Sequence, residues 1–143
     1  MRRHPYRRWR DGEAVLRVGV GDPAATVEAA EAAEAPLEVP LEIAASYRAR
    51  TRGLLGRDGV EGALLLTPAA SVHTIRMRFA IDVAYLDRNL RVIALTTMAP
   101  GRLGLPRPRS RHVLEAAAGA MAGWGLRIGT ALAVQTPPRP GRG

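Results

Sequence analysis

The sequence predicts a mainly β domain of the α+β kind, compact and sandwich- or barrel-like, with one or two short helices. Short apolar or alternating runs recur along the chain, and Gly, Pro, Asp or Asn separates each from the next. Only a few stretches carry a helical pattern, and no internal repeat breaks the series. With 47% hydrophobic residues in 143, the chain has enough apolar material for one packed core.

The elements follow in order. Residues 1–12 form a basic arm, expected to be mobile at its tip, in which Arg2, Arg3, Arg7, Arg8 and Arg10 surround Tyr6 and Trp9. Asp11-Gly12 signals a turn, and Ala14 to Val20 alternates as a strand. An Ala/Glu-rich insertion at about 21–36 has almost no large apolar face to dock, so it reads as an exposed loop or frayed helix. Leu37 to Ile43 is the next strand. Ser46 can cap a helix in which Tyr47, Thr51, Leu54 and Leu55 share one face, with Gly56 as its stop. Arg48, Arg50 and Arg52 then fall on the solvated side.

Gly62 to Thr67 is a continuous apolar run ending at Pro68, suited to a strand buried on both faces. Ser71 to Phe79 alternates, which predicts a strand with His73, Ile75, Met77 and Phe79 on one side. Ile81 to Leu86 and Arg91 to Met98 are partner strands joined by a turn in which Asn89 can take the left-handed conformation. A Pro/Gly/Arg loop spans 99–111, His112 to Glu115 is a short strand, and 116–125 holds a turn or two of helix. Thr130 to Val134 closes the domain, which runs from 13 to 135 and leaves 136–143 as a disordered tail.

Composition restricts the function classes. There is no apolar run long enough to span a membrane as a helix, and the first 21 residues lack the apolar segment of a secretory signal. No cysteine is present, which removes disulfides and thiolate metal sites and fits a cytoplasmic setting. The formal charge of +8 comes entirely from arginine, without one lysine, beside abundant Ala, Gly and Pro. Such an excess raises non-specific contact with polyanions, here through the arm. A dedicated nucleic-acid surface would add stacking aromatics, and this chain has one Phe, two Trp and three Tyr.

Five polar residues stand out as ligand-binding candidates: Arg57, His73, Arg78, Asp82 and Glu115. His73 shares a predicted apolar face with Ile75 and Met77, where a histidine most simply bonds a backbone group; otherwise it is a general base or metal ligand. Asp82 interrupts an apolar strand, so it must be paired, with Arg78 or the backbone N–H groups of 79–80 as nearest donors. Glu115 ends a short strand within possible reach of Arg57 or Arg78. No compact metal-ligand spacing, phosphate-cradling glycine loop or serine nucleophile with a nearby base is present; Ser46 reads as a cap and Ser71 as a strand opener. Neither metal nor cofactor is therefore expected.

Three segments carry a family resemblance. Arg52-Gly53-Leu54-Leu55-Gly56-Arg57 follows the first helix. Val72 to Asp87 reads VHTIRMRFAIDVAYLD, and Val113 to Gly119 is followed by Trp124 to Gly129. In this order they resemble the DUF192 family, in the branch with a VHTxGMRFPID-like motif, over about 37–134. The resemblance implies a mainly β domain of jelly-roll-like character. It implies no reaction, because none is established for the family. Arg76 departs from the branch by standing where Gly is usual, as do Ala80 and Ala117 at proline positions and Thr130 at an acidic one. The best-supported expectation is a non-enzymatic binding or accessory module, its cleft lined by His73, Arg78, Asp82 and Glu115 and holding a small anionic ligand or a protein segment. The alternatives are a metal-assisted or acid–base hydrolase with His73 and Glu115 in the same cleft, and polyanion binding through the arm.

Overall fold

The computed structural model describes residues 9–19 and 37–138. The tip of the basic arm, the insertion at 21–36 and the end of the tail lie outside the described residues. Seven strands form one curled sheet: β1 (Gly12–Val18), β2 (Leu37–Ala44), β3 (Ala63–Leu66), β4 (Ile81–Leu86), β5 (Val92–Met98), β6 (His112–Ala117) and β7 (Leu132–Gln135). Their order across it is β5-β4-β6-β3-β2-β1-β7. All pairs are antiparallel except β2 with β3, which is parallel. Two short helices accompany the sheet among the described residues, α1 (Tyr47–Arg52) and α2 (Ala120–Gly123). Among the described residues no helix is long and apolar enough to cross a membrane.

The mainly β prediction holds because alternation along each strand supplies a different apolar set to each face of the sheet. One face gathers Leu16, Leu41, Ile43, Leu65, Ala84, Leu86, Leu114 and Ala116, under Met121 and Leu126. The other gathers Leu64, Leu66, Ile81, Val83, Tyr85 and Val113, under Leu54, Val72 and Met77. Strands β3 and β4 are buried along their whole length, because both of their faces are covered.

Helix α1 begins as predicted, with Ser46 Oγ accepting from Ala49 N at 3.1 Å. Asp11 reinforces this start from outside, accepting from Ala45 N and Ser46 N through Oδ1 at 2.6 and 2.7 Å. The helix is shorter than expected. Gly53 at φ 45 ends it, so Leu54 reaches the core from a turn while Tyr47 is 79% exposed. At the β4–β5 turn, Leu90 and not Asn89 adopts the left-handed conformation. Asp87 Oδ1 holds that turn by accepting from Asn89 N and Arg91 N.

The predicted strand at 71–79 is not formed. Only His73 makes an isolated bridge, with Leu103, and the chain then turns through Arg76 at φ 64. Thr74 is the reason. Its buried hydroxyl accepts from Arg102 N at 2.9 Å and donates to Ala99 O at 2.6 Å, while its carbonyl accepts from Met77 N and Gly101 N. Those bonds lock the segment against the 99–104 loop with Val72, Thr74 and Met77 turned inward, so His73 and Ile75 of the predicted apolar side are exposed instead.

Candidate functional site

Asp82 and Glu115 lie on adjacent strands, but the register separates them. Asp82 pairs with Ala116 and Val83 with Glu115, and paired residues share a face while consecutive ones alternate. Asp82 therefore points to the face that carries α2, and Glu115 to the face covered by Leu54 and Met77.

Asp82 is buried and fully engaged. Thr97 Oγ1 donates to Oδ1 at 2.7 Å, and Gly119 N and Met121 N donate to Oδ2 at 2.9 and 3.1 Å. The carboxylate ties β5 to the first turn of α2, whose leading N–H groups have no intrahelical partner. Pairing was expected, but with Arg78 or the 79–80 backbone. Arg78 is exposed and donates to Asp58 Oδ1 at 2.9 Å. Arg57 forks onto Glu42, with Nη1 and Nη2 each 3.0 Å from a carboxylate oxygen, and this pairing holds its guanidinium above the usual arginine range. Hence neither arginine holds Glu115. His73 is exposed, which removes the expected apolar surroundings.

Glu115 has a different environment. It is 3% exposed, lies between Leu64 and Val83 on neighbouring strands, and its Oε2 has no hydrogen-bond partner among the described residues. Burial pushes its carboxyl up to about 7. The neutral acid is thus favoured across most of the acidic range, because removing an ionised carboxylate from water without a partner is costly. The structure does not bring His73, Arg78, Asp82 and Glu115 into one cleft. Among the described residues no group of three His, Asp or Glu side chains could hold a metal.

Two open grooves lie elsewhere. The first, of about 500 Å³, is lined by Tyr47, Arg50 and Thr51 of α1, by Leu66, by residues 68–71, and by Ser110 and Arg111. Arg50 was expected on a solvated face. Instead Nη1 donates to Pro68 O at 3.1 Å, and its buried Nε–H has no partner among the described residues. Arg111 Nη1 donates to Pro108 O at 3.0 Å, and the Ser110 hydroxyl lies 3.0 Å from Ala69 O. Among the described residues no carboxylate lines this groove. Behind it, His112 Nδ1 is 2.8 Å from Thr67 Oγ1, and burial pushes its imidazole below the usual value. The second groove, of about 710 Å³, runs between the start of β5, the 105–109 loop and Ile128. None of the five sequence candidates lines either groove. Arg50 and Arg111 escaped sequence reasoning because they are remote in the chain and look like ordinary surface cations.

These features define a small mainly β domain that spends several of its polar side chains on its own architecture and leaves two surface grooves. The model of the family DUF192, described as Uncharacterized ACR, matches residues 27–134, and the chain belongs to that family, which has no assigned function. It is similar to a UPF0127 protein of Pyrococcus horikoshii, 34% identical over 83 residues, covering 54% of this chain and 72% of the relative. A UPF0127 protein of Pyrococcus furiosus is 28% identical over 101 residues, covering 67% and 87%. Among solved structures, a proposed transcription regulator from Sinorhizobium meliloti 1021 has TM-score 0.67 at 15% identity, covering 87% of this chain and 95% of that one. A protein of unknown function from Novosphingobium aromaticivorans DSM 12444 has TM-score 0.65 at 17% identity, covering 91% and 89%. At these identities the structural likeness speaks for the fold alone.

Proposed function

We propose that this protein is a binding module for a small anionic ligand, and that the ligand sits in the groove between α1 and Ser110-Arg111. The observation that carries this reading is that Arg50 and Arg111 line the groove with no carboxylate beside them among the described residues. Hydroxyls of Tyr47, Thr51, Ser71 and Ser110 border the same space, and its volume falls in the range usual for small-molecule sites, about 300–1,000 Å³. Arginine matches carboxylates and phosphates through two parallel N–H bonds, so either anion class fits. The five residues singled out from sequence support this reading only indirectly: Arg57, Arg78 and Asp82 are occupied by protein partners.

Isothermal titration with inorganic pyrophosphate and with citrate tests the proposal. Binding is expected, and the double substitution Arg50→Ala/Arg111→Ala should weaken it at least about tenfold, because one charge-assisted hydrogen bond contributes about 1.5–3 kcal/mol. Absence of binding by the unsubstituted protein, or equal binding by the variant, overturns it.

A further inference from the structure

The second groove lies beside the open edge of the sheet. Among the described residues strand β5 is the last in the order and pairs only with β4. Its first residue, Val92, has its N–H and C=O taken by Thr130 O and Gly129 N, at 3.0 and 2.7 Å. From Ile93 onward, no backbone hydrogen bond reaches the outer edge of β5 among the described residues. An exposed row of such groups is a template for another strand. Natural edges are commonly blunted by a covering segment; here the 105–109 loop stands across a groove instead of pairing.

The groove walls have a definite chemistry. Leu105 and Ile128 are 78% and 72% exposed, although large aliphatic side chains are normally covered. Arg91, Arg107 and Arg109 line the same space, and none forms an ion pair among the described residues. Asp87, the lining carboxylate, is already accepting from Asn89 N and Arg91 N. Arg107 lies over the Tyr85 ring, 4.7 Å from its centre, which positions its charge at the groove.

From these observations we infer that the β5 edge takes an extended peptide segment of a partner protein, added as an outer strand, in which acidic residues alternate with aliphatic ones. Charge complementarity selects the acidic side chains: among the described residues three arginines face a single carboxylate that is already engaged. Within the groove the arginines would meet the acidic side chains, and Leu105 and Ile128 the aliphatic ones. The five residues from Ile93 to Thr97 would pair with a segment of similar length. This surface is separate from the anion groove and does not depend on it.

Fluorescence anisotropy with a labelled (Glu-Val)4 peptide tests the inference on the full chain. The unsubstituted protein should bind it, and (Lys-Val)4 should bind at least about tenfold more weakly. Both Arg107→Glu/Arg109→Glu and the exposed-site variant Leu105→Asp should reduce affinity at least about tenfold, while Arg50→Ala leaves it unchanged. Methylating alternate peptide N–H groups should abolish binding, because strand addition needs them. Failure of the (Glu-Val)4 peptide to bind, equal binding by the Arg107/Arg109 variant, or equal binding of the methylated peptide overturns the proposal. So does self-association that Leu105→Asp disrupts and the peptide does not displace, since the occupant would then be a second copy.

Discussion

Asp82 and Glu115 are neighbours across the β4–β6 ladder and yet occupy opposite faces of the sheet, because Asp82 pairs with Ala116 while Glu115 pairs with Val83. The offset of one residue gives two buried carboxyl groups opposite fates. Asp82 meets the N–H groups of Gly119 and Met121, and Glu115 meets Leu64 and Val83. A carboxylate surrounded by donors stabilises the fold. One surrounded by aliphatic groups is held neutral until the pH forces it to ionise.

Asp82→Ala should destabilise the domain by about 3 kcal/mol, since it strands the Thr97 hydroxyl and two backbone donors in a buried setting. Urea unfolding gives the loss. Hydrogen exchange should show it concentrated at the amides of Gly119 and Met121. Asp82→Asn, which keeps one carbonyl acceptor, should cost less. A loss below about 1 kcal/mol for Asp82→Ala would contradict the role assigned to this carboxylate.

Glu115 should make stability fall as pH rises through neutrality. Its folded value of about 7 lies above the ordinary 4.5, so the folded state holds the proton more tightly than the unfolded one. That contribution is fully present below 4.5 and lost as pH passes about 7, amounting to about 3 kcal/mol. Glu115→Gln cannot ionise, so its denaturation midpoint should exceed that of the unsubstituted protein at pH 8 and approach it at pH 5. Parallel pH profiles for the two proteins would exclude Glu115 as the titrating group.

Arg76→Gly should stabilise the domain by about 1 kcal/mol. Arg76 is exposed at φ 64, a left-handed conformation that costs an L side chain about 1–2 kcal/mol and a glycine almost nothing. Part of that gain is offset by the greater freedom of glycine in the unfolded chain. Thermal unfolding gives the sign. A lower melting temperature for Arg76→Gly would mean that the arginine side chain contributes an interaction outweighing its backbone strain.

The strands were legible in sequence to different degrees, for a physical reason. Strands β3 and β4 stand out as continuous apolar runs because both their faces are covered. The segment 71–79 alternates instead, yet it formed a loop organised by Thr74, with Val72 and Thr74 inward and His73 and Ile75 exposed. Alternation reports that side chains divide between two sides and leaves open which side is covered. It does not report whether the backbone donors are satisfied by a neighbouring strand or by a loop.

The candidate site was less legible still. That Asp82 must be satisfied follows from one carboxylate in an apolar strand, but its donors come from 97, 119 and 121, far along the chain. Arg57 and Arg78 were matched with Glu115 on charge alone, whereas the fold gave them Glu42 and Asp58. Arg50 and Arg111 had no local signal, because a surface cation and a groove-lining cation look the same until 60 intervening residues have folded.

By itself the sequence determined the mainly β class, the family and the residues whose burial would demand explanation, since apolar patterning and motif order are local properties of the chain. Tertiary structure alone decided which polar residues share a surface. Strand register sets the face of every side chain, and a change of one residue moves a group to the opposite side of the sheet. For Asp82 and Glu115 that one-residue offset separates a structural carboxylate from a buried acid held neutral.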